Sequence, residues 1–176
     1  MKKVILKYGI LAGSILSFVL VITQPLFRNG VLNLNNGVYV GVPSTLIAMS
    51  VVFFGIKRFR DHHRKGQITF IKAFVLGSLI VLLAAVIHGL TWEVYHNLIA
   101  PDFIEWFQNA QVEKLIKEGT NESELIKARE EMDRFAKLYK NPWVRFGFTL
   151  TETIPLGLLI TLISAWILRK KEIPLA

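Results

Sequence analysis

The chain has 176 residues, 52% of them hydrophobic, no cysteine and a formal charge of +8. Soluble domains of this length are less apolar, and here the excess is gathered into four runs, the pattern of membrane helices. The missing cysteines exclude a disulfide framework and a thiolate metal site, and basic groups flanking apolar runs point away from nucleic acid.

The first run, "VILKYGILAGSILSFVLVITQPLF" at 4–27, follows "MKK". Its apolar part is long, Lys7 interrupts its start and no small-residue cleavage site follows, so it reads as an uncleaved helix and not a signal peptide. "RNGVLNLNNG" is a turn-rich loop. The second helix is expected at 38–57, ending in "KRFRDHHRKG". In that basic loop Lys57, Arg58, Arg60, Arg64 and Lys65 suit anionic lipid headgroups, while topology alone also accounts for them. His62 and His63, adjacent in the chain, diverge on a helix and make a poor metal pair. The third helix is expected at 68–96 and the fourth at 143–168, followed by "RKK". Each run is close to or above the ~20 residues that cross ~30 Å of hydrocarbon.

Lys2, Lys3 and Lys7, the five basic residues of the second loop, and Arg169, Lys170 and Lys171 alternate correctly for one side. The positive-inside rule then puts both termini in the cytoplasm. Trp92, Tyr95, Trp143 and Trp166 fall near the expected helix ends, where amphipathic rings prefer the interface.

Residues 100–142 differ in kind. They carry seven Lys and Arg against nine Asp and Glu. Pro101 suits a first helical position and Gly119 a stop. Phe103, Trp106, Phe107, Ala110 and Leu115 form one apolar stripe at helical spacing. Asn121 with Glu124 resembles a capping box, and Leu125, Met132, Phe135 and Tyr139 line a second stripe, ended by Pro142. An outer helical hairpin follows. Its stripes can pack on each other, lie on the membrane with Trp106 and Phe107 dipped in, or meet a partner protein.

Glu152, in "TLTETIPLG", sits inside the fourth helix. A carboxylate in hydrocarbon costs roughly 2.5–3.5 kcal/mol on insertion scales, although the cost falls away from the bilayer centre. Counting back from Leu168 puts Glu152 about one turn below the outer edge, near the depth of His88 on the third helix. Glu93 and His96 are i, i+3 neighbours. A polar cluster of Glu152, His88, Glu93 and His96 is therefore expected, either resting at the headgroup level or passing protons. A di-iron-type set needs more carboxylates than one chain supplies, so no metal and no cofactor are assigned. Pro155 removes a donor from the Thr151 carbonyl and predicts a helix break, which the hydroxyls of Thr151 and Thr153 can offset. Gly9, Gly13 and Ser17, and Gly157, Thr161 and Ala165, repeat every four residues. They allow close helix contact inside the bundle or, less favoured, in a homo-oligomer. No phosphate loop, zinc-protease motif or nucleophile elbow occurs, so no catalytic residue is named and no enzyme is expected.

"FFGIKRFRD", "GQITFIKAFVLG", "PDFIEWF", "FAKLYKNP" and "ETIPLGLLITLISAWILRKK" occur in this order. Together they resemble the Bacteroidetes membrane family known as domain of unknown function 4199, over nearly the whole chain. The resemblance implies a four-helix protein of the bacterial inner membrane with a periplasmic insertion. It implies no activity and supplies no catalytic residues.

The sequence thus predicts an all-α integral membrane protein, with four transmembrane helices and a periplasmic helical hairpin between the third and fourth. The leading function is an accessory or scaffold component whose hairpin engages lipid or a membrane or periplasmic protein. The alternative is a small oligomeric transporter, flippase or proton-linked factor that uses Glu152 with His88, Glu93 and His96.

Overall fold

Long apolar runs satisfy their backbone groups within one helix, and the described residues form six helices in all. The computed structural model describes residues 1–33 and 35–170. The order is α1 (Lys2–Arg28), α2 (Val38–His63), α3 (Phe70–Leu98), α4 (Phe103–Lys117), α5 (Glu122–Tyr139) and α6 (Pro142–Leu168). Four of them, α1, α2, α3 and α6, are long and apolar enough to cross a membrane. Lys171 lies outside the described residues.

The four long helices run up and down. Helix α3 packs mainly on α1 and α6, and α2 closes the ring between those two. Lipid is as apolar as leucine, so such a bundle is held by close packing of small residues and turns its large apolar side chains outward. Phe18, Ile47, Ile71 and Trp166 are accordingly exposed, while Ala12, Ala48, Ala73, Ala84 and Ala165 are fully buried. The small-residue stripes face inside the bundle. A Cβ on Gly13 would stand 2.8 Å from Ile87 of α3, and one on Gly157 2.5 Å from Val81 of α3. Ser17 continues the α1 stripe with a 2.7 Å hydrogen bond to Thr91.

Several boundaries differ from the sequence reading. Helix α2 does not stop at 57 but continues to His63, because nothing between Ile56 and His63 breaks a helix and Lys and Arg are good helix formers. Lys57, Arg58 and Arg60 therefore lie on its last turns. Only Arg64 and Lys65 belong to the turn, which Gly66 closes at φ +81 by donating to the Arg60 carbonyl. Ile68 is not helical. It pairs with Lys170 in an isolated bridge, and α3 starts after Thr69, whose hydroxyl caps it. Pro101 precedes α4 instead of opening it.

The break expected at Pro155 does not interrupt α6, which is helical throughout. The hydroxyls of Thr149, Thr151 and Thr153 donate to the carbonyls of Arg145, Gly147 and Thr149, one turn back. They do not offset the carbonyl of Thr151.

Phe103 of α4 packs against Tyr139 of α5, and both, with Phe135, join Leu20, Trp92 and Tyr95 at the end of the bundle. Trp106 lies edge-on against Phe27 of α1, with ring centroids 6.2 Å apart. Trp92 and Tyr95 are buried in this same cluster, beneath the hairpin. Trp143 and Trp166 are exposed at opposite ends of α6.

Candidate functional site

The end of the bundle beneath the hairpin concentrates the polar chemistry. Arg145 enters it from the first turns of α6 and is almost fully buried. A buried charge needs a partner and further hydrogen bonds, and Arg145 has both. Its Nη2 donates to Glu93 Oε2 at 2.8 Å, and its Nε to Glu93 Oε1 at 3.1 Å. Its Nη1 reaches the carbonyls of Tyr139 and Lys140 at 3.2 and 3.4 Å. One guanidinium thus joins α3, the end of α5 and α6. The sequence reading missed Arg145. The signal was present in "WVRFGF", where an arginine interrupts an apolar helix start just as Glu152 interrupts its continuation.

Tyr139 closes α5 over the bundle. Trp92 Nε1 donates to its hydroxyl at 2.8 Å. Burial pushes the phenol up to about 12. His96 is buried between Trp92 and Tyr139, with ring centroids near 6 Å, and its Nδ1 meets no hydrogen-bond partner among the described residues. On the other flank, Arg28 at the end of α1 bonds Asp102 at the start of α4 and holds that carboxyl below the usual carboxylate range.

Below this roof is a cavity of about 360 Å³, lined by side chains of all six helices. His88 lines it from α3 and Glu152 from α6, the two residues that depth counting placed at one level. They make no hydrogen bond to each other, and Nδ1 of His88 has no partner among the described residues. Thr23, Gln24, Thr45 and Thr149 add polar atoms, and the rings of Trp92, Phe103, Phe107, Phe135, Tyr139 and Phe148 form much of the wall.

The expected four-residue cluster is therefore divided. Glu93 is engaged by Arg145, and His96 stands in the aromatic roof outside the cavity lining; only His88 and Glu152 share the cavity. The i, i+3 spacing placed Glu93 and His96 on one helix flank but could not see which neighbour each would meet. Among the described residues, no three of His, Asp and Glu gather closely enough to hold a metal ion. At the far, basic end, Lys57 and Arg58 are exposed. Arg60 bonds Asp61 at 2.7 Å, and the Arg64 guanidinium lies 6.0 Å from the Phe59 ring centre.

The family described as "Protein of unknown function (DUF4199)" matches residues 7–170. The chain belongs to that family. The match runs from the first turns of α1 past the end of α6, so the whole bundle and the hairpin are features of a DUF4199 protein. No curated protein and no solved structure matches the chain.

Proposed function

We propose that this DUF4199 protein is a non-enzymatic membrane component that holds one amphiphilic molecule in the cavity between the bundle and its helical hairpin. The observation that carries this reading is the cavity itself. Its volume of about 360 Å³ falls within the range of small-molecule sites, with largely apolar walls rich in aromatic rings and a few convergent polar groups. The hairpin is then a roof. Its stripes face inward, which favours a lipid-like occupant beneath it over a partner protein bound along those stripes. The positive-inside rule supports cytoplasmic termini and a periplasmic roof in the bacterial inner membrane, with the occupant entering from the outer leaflet. Proton-linked transport through Glu152, His88, Glu93 and His96 has less support, because Glu93 is held in an ion pair and His96 stands apart.

The test is native mass spectrometry of the full chain purified from its own membrane in a mild detergent. The wild-type chain is expected to carry one adduct of lipid-like mass. Gly41 lines the cavity, and a Cβ there meets nothing within 4 Å, so Gly41→Leu adds bulk at the cavity's edge without a backbone clash. That variant is expected to keep its thermal midpoint and lose the adduct. A wild-type chain without any adduct, or an adduct untouched by Gly41→Leu, overturns the reading.

A further inference from the structure

The chemistry of the cavity wall goes further than its size. Among the described residues, Glu152 is the one Asp or Glu that lines it, and no lysine or arginine does. The guanidinium on the same helix, Arg145, is engaged by Glu93 and two carbonyls and leaves Glu152 uncompensated. The three threonines of the lining have already donated their hydroxyl protons. Thr23 bonds the Val19 carbonyl at 2.9 Å, Thr45 that of Gly41 at 3.0 Å, and Thr149 that of Arg145 at 3.2 Å. A hydroxyl has one proton and two lone pairs, so each of these oxygens can now only accept. Aromatic rings line the same space, and a cation is attracted to the face of such a ring. Trp92 and Phe103 meet edge to face with centroids 4.7 Å apart, and Phe103 lies 6.2 Å from Tyr139. The threonines and the carboxylate favour a positively charged hydrogen-bond donor and disfavour an anion, and the rings can take the charge; the Gln24 amide and the His88 ring, which can also donate, share the lining.

We propose that the occupant's polar end is an ammonium group bearing N–H donors, seated between the Glu152 carboxylate, the threonine oxygens and the aromatic wall. This rests on the reading of the cavity as an amphiphile site. An ammonium with three N–H donors matches a set of acceptors, whereas a quaternary ammonium satisfies only the charge and the rings. Loss of the carboxylate removes a charge-assisted hydrogen bond and is expected to weaken binding about tenfold or more.

The experiment titrates the full chain, in maltoside detergent, with five probes: dodecylammonium, dodecyltrimethylammonium, dodecanol, dodecanoate and ethylammonium. Tryptophan fluorescence is the readout, since Trp92 stands in the wall. Dodecylammonium is expected to bind tightest, the trimethyl probe several-fold weaker, and dodecanol and dodecanoate at least about tenfold weaker. Glu152→Gln is expected to lose that preference and Glu152→Asp to keep it. If Glu152→Gln does not fold, the probe series on the wild-type chain decides alone. Equal binding of all four chain-bearing probes overturns the ammonium inference and leaves the amphiphile reading standing. Ethylammonium binding as tightly as dodecylammonium identifies a small free amine and overturns the amphiphile reading while keeping the ammonium site. Binding by none of the probes overturns both.

Discussion

Arg145 and Glu93 form a two-point ion pair, 2.8 and 3.1 Å long, between α6 and α3. Side-chain exposure is 5% for the arginine and 16% for the glutamate. Removing one partner of such a pair leaves a buried charge, at a cost of about 3–5 kcal/mol, while replacing both with apolar residues is far milder. Arg145→Met and Glu93→Leu are each expected to lower the thermal midpoint sharply, and the double variant by much less than the sum. Additive effects in the melting series would show that the pair does not act as a unit.

The hydrogen bond from Trp92 to Tyr139 ties the roof to α3. Tyr139→Phe leaves the indole N–H without its acceptor, costing about 1–3 kcal/mol. Limited proteolysis near Gly119 and Thr120, in the turn between α4 and α5, is expected to speed up in this variant if the roof loosens as a body. Unchanged cleavage would mean that the roof holds without this bond.

Tyr139 also gives a dependence on pH. A free tyrosine ionises near 10, and burial pushes this one up to about 12. The folded chain therefore keeps a proton that the unfolded chain has lost. The stability gained is complete below pH 10 and disappears as pH rises through 12. Tyrosinate absorbance is expected to show a late step near 12 that Tyr139→Phe abolishes. A titration in which the variant keeps that step would assign it elsewhere.

Helix contact in the bundle is set by missing side chains. Gly157→Ala brings a Cβ within 2.5 Å of Val81, and Gly13→Ala within 2.8 Å of Ile87. Overpacking of this kind costs about 1–3 kcal/mol. At Gly147 a Cβ meets nothing within 4 Å, so Gly147→Ala is expected to be neutral or to stabilise by about 0.5–1 kcal/mol through helix propensity. Thermal midpoints of the three variants in one detergent check the contrast. A destabilised Gly147→Ala, or a neutral Gly157→Ala, would contradict this packing.

The sequence by itself determined the number and type of the helices, since a run of about 20 apolar residues has few other ways to satisfy its backbone. It also set the hairpin, because Gly119 at φ +76 and the Asn121 cap act within a few residues of themselves. Depth along a helix follows from a fixed rise per residue, which is why His88 and Glu152 could be brought to one level from counting alone. Rotation about the helix axis and the choice of neighbour do not follow from counting. Glu93 met Arg145 and not His96, Trp92 and Tyr95 turned under the hairpin, and Phe103 became part of a cavity wall. Those outcomes depend on how helices distant in the chain pack together, and only the tertiary structure decided them.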